Sequence, residues 1–332
     1  MVRGIKRFHR GAGLCLGATA ALLGLAACGN KSTTPSGGSL QINVTPAATG
    51  LTSPIDATPD PMGTDIYFLA TNADGVGVFH VAASGGAVDQ VFVGAPLVDP
   101  HGISISSDGK TLYVADRAAG TSGGGAILSL PTSGDTPVVV SGTEGTHASA
   151  LDVAESGATD EIYFTGTDMN GAPAVFEVPS EGGTLTTISS GAPFSKPDGV
   201  AVSQNDVFVA DEKAGTMEPG AVFSLASGMA SGLGPDVTPG NPMGIAVTLD
   251  GTRVLVSSLD PMAHTSEVTL IATKDGSATT FNDVIKVNDV SGGLHRARYK
   301  DIYAWAGKTQ VYSIRIKILP IASSSIGGAG LN

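Results

Sequence analysis

Two residues of this chain pair a reactive side chain with the same local setting: His101 in Pro100-His101-Gly102 and Asp198 in Pro197-Asp198-Gly199. An imidazole and a carboxylate brought to one place could hold a divalent cation, with the carboxylate as general base towards a bound water. Met243, after Pro242, and His147, after Thr146, stand at related positions, and Asp56 and His295 fall near the same phase in two weaker copies. The register of those two is open by one residue, and a slip of one points a strand residue the opposite way. The expected ligand set is therefore His101, His147, Asp198, His295 and Asp56, with Asp198 as the catalytic candidate. The expected cofactor is a divalent metal, zinc or calcium. Imidazoles without cysteine suit zinc or another borderline cation better than an all-oxygen calcium cage. The same side chains could equally hydrogen-bond a neighbouring loop, which needs no metal.

The elements that must position these residues recur. Copies of one pattern start near residues 54, 100, 146, 197, 242 and 293, at intervals of 45 to 51 residues. The fullest is PHGISISSDGKTLYVAD, Pro100 to Asp116, echoed by PDGVAVSQNDVFVAD and PMGIAVTLDGTRVLVSS. Each copy reads as strand, tight turn, strand, longer loop, strand, Gly turn, strand, with Asp108-Gly109 a typical hairpin signal. Four short strands per repeat of that length make a propeller blade. The expectation is an all-β, six-bladed β-propeller of four-stranded antiparallel blades over residues 40–318. The strand LQINVTP from Leu40 should close the ring beside the last blade, leaving no exposed edge at the seam. No long amphipathic helix is expected after residue 28.

The longer loops after each second strand, such as DRAAGTSGGG and DEKAGTMEPG, share a rim with the starts of the innermost strands, which makes this the expected functional face. Asp116 and Asp211, ending two VAD segments, read as caps of turns, and Arg117 and His264 as loop residues. Asp74, Asp168 and Asn170 lie in loops of calcium-friendly composition, but without EF-hand spacing. No nucleophile-elbow pattern occurs among the serines.

The first residues read as an address. Arg3, Lys6, Arg7 and Arg10 precede an apolar run ending in Leu25-Ala26-Ala27-Cys28, so residues 1–27 are expected to be a secretory signal peptide. The last four residues resemble a bacterial lipobox, which implies lipidation of Cys28. Residues 28–39 then form a flexible tether, and 319–332 a tail. Cys15 and Cys28 are the only cysteines, so the remaining domain can have no disulfide or Cys-based metal site. Residues 1–27 hold four of the 18 Lys and Arg and none of the 30 Asp and Glu, so their removal takes the net charge from −12 to −16. That argues against nucleic acid and anionic lipid headgroups as partners. The expected partners are a membrane, through the lipid alone, and a small molecule or another envelope protein. The expected location is the extracytoplasmic face of a bacterial envelope.

The quoted blades are similar to those of gluconolactonase/SMP-30-like and NHL-type propellers. The resemblance implies a lactonase with one axial divalent ion. Asp198 matches that family's metal-binding Asp and acid/base candidate, and His101 stands where its pattern has Asn. Its early Glu-Gly-Pro is absent, with Asp56 an approximate stand-in. Pro100-His101 before an aliphatic strand also resembles the zinc-binding pattern of peptidyl-amidoglycolate lyases. The leading functional expectation is ligand binding at the central rim. The alternative is metal-dependent hydrolysis of lactones or similar esters.

Overall fold

The structure, a computed structural model, describes residues 40–318 apart from 158, 204–205, 216–218, 239–242, 260–261, 263–264 and 286–291. The expected signal peptide, Cys28, the tether, the tail, Pro242 and His264 lie outside the described residues.

Six sheets of four antiparallel strands make up the fold. Five are built from consecutive strands, beginning with Ala57–Pro59, Pro100–Ile105, Leu151–Ser156, Pro197–Ser203 and Ile245–Val247 as the innermost strands of blades 1 to 5. The sixth runs Leu294–Arg296, Ile302–Ala306, Gln310–Ile318 and then Leu40–Thr49, so its outermost strand comes from the other end of the domain. That strand pairs from Leu40 opposite Ile318 to Thr49 opposite Gln310, with one bulge between Pro46 and Ala48. The ring is closed as expected. The neighbouring innermost strands touch all the way round, blade 6 against blade 1 included.

Hydrophobic packing follows the blade interfaces. Six clusters of buried side chains each draw on two adjacent blades: Phe68 and Val81 of blade 1 meet Ala304 and Val311 of blade 6, and Phe164 of blade 3 meets Tyr113 of blade 2. Burying one such Phe contributes about 1.5–3 kcal/mol, so the clusters hold blade to blade without a disulfide. The tight turns use the chemistry expected of them. At Asp108-Gly109 the glycine has φ 74°, and Asp108 accepts from Ser106 Oγ at 2.7 Å and Lys110 N at 3.0 Å.

Carboxylates stitch neighbouring blades at the same interval as the repeat. Asp56 accepts from Ile103 N at 2.7 Å, Asp152 from Val202 N at 2.9 Å, Asp160 from Ser107 N at 2.7 Å and Asp301 from Leu249 N at 2.8 Å. Two of these charge-assisted bonds occupy donors on innermost strands, Ile103 N and Val202 N, and the other two occupy donors in the turns that follow such strands, Ser107 N and Leu249 N.

The glycine of Pro-X-Gly has a packing cause. A Cβ on Gly199 would lie 2.2 Å from the Met243 carbonyl of the next blade, well inside contact distance. Gly199→Ala should therefore cost about 1–3 kcal/mol by forcing blades 4 and 5 apart. Gly232→Ala, where no atom lies within 4 Å, should stay within about 0.5 kcal/mol. Denaturant melts of the two variants check this; equal costs would contradict it.

Candidate functional site

Strand pairing settles the register that the sequence left open. Ile103, Leu151, Val200 and Ile245 face Val114, Phe164, Val209 and Val256 across equivalent strand pairs. Two residues earlier, His101, Ser149, Asp198 and Met243 occupy one point on four successive blades. In blades 1 and 6 the same point falls on Ile55 and Gly293, as Ala57 and His295 face Phe68 and Ala304.

Of the five expected ligands, only His101 and Asp198 share this point. His147 lies two residues upstream, exposed, with φ 45° and its Nδ1 3.1 Å from the Arg117 carbonyl oxygen. Asp56 lies one residue past the point. It is saturated by Ala57 N at 2.8 Å, Ile103 N at 2.7 Å and His295 Nε2 at 3.1 Å. His295, two residues past it, is buried against that carboxylate. Asp56, His101, Asp198 and His295 do line one small axial cavity, of about 10 Å³, room for about one water.

Asp198 is the centre of the site. It is only 1% exposed, and an isolated carboxylate there would carry a penalty of several kcal/mol. Its Oδ1 accepts from Arg117 Nη2 at 2.7 Å and from Ser149 Oγ in a very short bond, and His101 Nδ1 lies 3.5 Å away. Lys196 Nζ stands 3.6 Å from Oδ2 and 2.5 Å from Glu212 Oε2. The Glu212 carboxyl is also within hydrogen-bonding reach of Asp198. Asp198 Oδ2 and Glu212 Oε1 are buried without other hydrogen-bond donors among the described residues. A proton on Glu212 shared with Asp198 satisfies that pair.

The protonation states follow. Burial works to raise Asp198, but the charge of His101, the hydrogen bond from Glu212, Arg117 and Ser149 outweigh it and hold it below the usual carboxylate range. Glu212 is pushed up to about 7, first by burial and then by the hydrogen bond and charge of Asp198, with Lys196 opposing. Burial lowers His101, against the pull of the Asp198 carboxylate.

Arg117, Ser149, Lys196 and Glu212 are site residues that the sequence reading did not single out. Arg117 and Glu212 each follow the Asp of a VAD segment, and those aspartates are indeed turn caps. Asp116 accepts from the backbone N–H groups of Val98, Asp99, Ala118 and Ala119, and Asp211 from those of Ser195, Lys196 and Lys213. Each cap thus fixes the loops that present Arg117, Lys196 and Glu212. The usable signal was the residue after the repeated Asp. Asp168, by contrast, accepts from Asn170 N, Ala172 N and Ser190 Oγ and closes its own loop.

Two chemistries suggested by the residue types do not fit this geometry. A divalent ion would need the Asp198 carboxylate, which Arg117 and Lys196 already neutralise. No three His, Cys, Asp or Glu among the described residues are placed to hold a metal. Ser149, His101 and Asp198 also have the composition of a nucleophilic triad. Ser149 donates directly to the carboxylate, however, leaving His101 no position as its base. What the cluster offers is two partly exposed cations over a buried carboxylate, and one carboxyl that titrates near neutrality.

These features define a six-bladed β-propeller with a charged axial site. No protein-family model matches the chain, and no curated protein matches it in sequence. Solved structures share the fold. The PQQ-bound aldose sugar dehydrogenase of Streptomyces coelicolor is 13% identical, with 85% of this chain and 99% of that one covered at a TM-score of 0.63. A gluconolactonase of Xanthomonas campestris is 14% identical over 85% and 96%, with a TM-score of 0.55. A chain of the nidogen/laminin complex is 12% identical over 84% and 99%, also at 0.55. At such identities the likeness concerns the fold alone.

The shared proton has a thermodynamic signature. Glu212 has a folded pKa above its unfolded one, so the folded state holds an extra proton and loses stability as pH rises from about 4.5 to about 7. Glu212→Gln removes this loss. Its melting temperature relative to the parent should rise between pH 5 and pH 8, whereas parallel curves would refute the shared proton.

Proposed function

We propose that this chain is a lipid-anchored, extracytoplasmic binding protein that captures a small polar ligand at the Asp198 rim. Residues 1–27 direct export and Cys28 carries the lipid. No helix among the described residues is long and apolar enough to cross a membrane, and in this reading the lipid is the attachment.

One observation carries the ligand-binding reading. Arg117 and Lys196 keep 29% and 38% of their side chains exposed above an Asp198 that is 1% exposed. The buried carboxylate holds the two cations in place, and their outer N–H groups face the rim. A ligand oxygen can accept from them, while a ligand hydroxyl can donate to Glu212 Oε2 or exchange hydrogen bonds with His101. Such preorganised donors lower the ordering cost of binding.

The likeness to a gluconolactonase favours a second reading, hydrolysis of lactones or similar esters. In this geometry Asp198 is a weak base, because its pKa is depressed. Glu212, at about 7, is matched to acid/base work near neutral pH. The Arg117 guanidinium would polarise the carbonyl in place of a metal.

An NMR screen of lactones and neutral sugars separates these readings. Binders should lose about tenfold in affinity, ~1.4 kcal/mol, in Lys196→Ala, at a partly exposed position. Binders indifferent to both Lys196→Ala and Asp198→Asn would remove the rim as the site. Turnover of a lactone that survives chelation and is lost in Glu212→Gln would establish the second reading over the first.

A further inference from the structure

The innermost strands run from the Asp198 rim to the opposite face, and a cavity of about 300 Å³ opens where they end. Of the expected ligands, only His295 lines it. The cavity is lined by Arg296 and Arg298 of blade 6, Asp152 and Glu155 of blade 3, and the hydroxyls of Thr58 and Ser104, among others. His295 and Ile245 line both this cavity and the small one beneath Asp198, so they form the partition between the two.

The charges around the cavity differ in how far they are used. Asp152 accepts from Val153 N at 2.9 Å and Val202 N at 2.9 Å, and Asp56 is spent on two backbone N–H groups and His295. The arginines are held by neutral carbonyls. Arg296 donates to Val247 O at 2.6 Å, Ala297 O at 2.6 Å and Arg298 O at 2.9 Å, and makes no ion pair among the described residues. Arg298 reaches across the ring to Val153 O at 3.2 Å. Among the described residues its one carboxylate partner is Glu155, 3.7 Å away and 58% exposed, a pair that solvent screens. A carbonyl orients a guanidinium but leaves its charge uncompensated. The wall therefore offers two guanidiniums held by neutral carbonyls, Arg296 without an ion pair among the described residues, beside hydroxyls and the carboxylates of Asp152 and Glu155.

We propose that this cavity is a second binding site, specific for a small hydroxycarboxylate anion. The carboxylate would accept from Arg298 in a forked pair, displacing Glu155, with Arg296 adding charge from below. The ligand hydroxyls would bond Thr58 and Ser104. The volume lies at the low end for small-molecule sites and has room for such an anion.

Calorimetric titration of the purified protein tests this, with malate as the probe, inorganic phosphate as an anion without hydroxycarboxylate character, and glycerol as a neutral polyol. Malate should bind at least tenfold more tightly than either control. Arg298→Ala should weaken it at least tenfold, and Arg298→Lys, which keeps the charge but not the fork, by less. Glu155→Gln, a surface change, should tighten it two- to fivefold, a gain that a folding defect cannot produce. Lys196→Ala at the other rim should leave it unchanged. A malate Kd above about 10 mM, equal affinity for phosphate, or loss of binding in Lys196→Ala with retention in Arg298→Ala would each overturn the assignment.

Discussion

A Cβ placed on Gly102, Gly199 or Gly244 would fall within 2.8 Å of a backbone carbonyl of the next innermost strand. Blades 2 and 3, 4 and 5, and 5 and 6 thus meet at the axis backbone to backbone, and this distance governs what the centre of the ring can contain. The residue before each of these glycines lies beside the axial cavity, so His101, Asp198 and Met243 are brought there by packing rather than by loop design. The carboxylate stitches between blades hold the same spacing from outside the hydrophobic clusters. A ring built this way tolerates little change in its inner backbone. Function then has to be written into the side chains just before the glycines and into the loops that lean over them.

Asp198 shows how the two are linked. Its burial is sustainable only with compensation, which arrives from three directions: Arg117 from blade 2, Ser149 from blade 3, and Lys196 with Glu212 from its own blade. The loops carrying these partners are fixed in turn by Asp116 and Asp211, two further buried carboxylates that spend their charge on backbone N–H groups. The rim is therefore rigid, cationic at its surface and anionic beneath, within a chain whose overall charge is −12. Under the proposed function, that local reversal of sign would concentrate polar, oxygen-rich ligands at the axis. Propellers as different as a dehydrogenase, a gluconolactonase and a nidogen/laminin component share the scaffold, so the side chains at this rim, not the fold, decide what is done there.

The fold was legible because its signals are local. The interval of about 46 residues, the Asp-Gly turns and the unassigned strand at Leu40 each depend on a few neighbouring residues. His101 and Asp198 were legible for the same reason, being marked by Pro before and Gly after. His147 was displaced by two residues because blade 3 lacks that Pro-X-Gly frame, and only pairing with Phe164 fixes its register. Ser149, which holds the true position, is a residue type that draws no notice by itself. Arg117 lies 81 residues from Asp198, and nothing in the sequence indicates that one blade's loop reaches past its neighbour to the next. Asp56 and His295 were read as ligands but serve as a buried ion pair at the seam between the first and last blades. There burial works to lower the His295 pKa, but the charge and hydrogen bond of Asp56, with the charge of Asp152, raise it.

The account stands or falls on the carboxyl pair at the axis. Carbon-13 NMR titration of the side-chain carboxyls would read it directly. The Glu212 carboxyl should titrate near 7, with Asp198 still ionised well below its usual range, and the Glu212 midpoint should fall in Asp198→Asn. A Glu212 midpoint at the ordinary glutamate value of about 4.5, unmoved by Asp198→Asn, would contradict the shared proton and the site built on it.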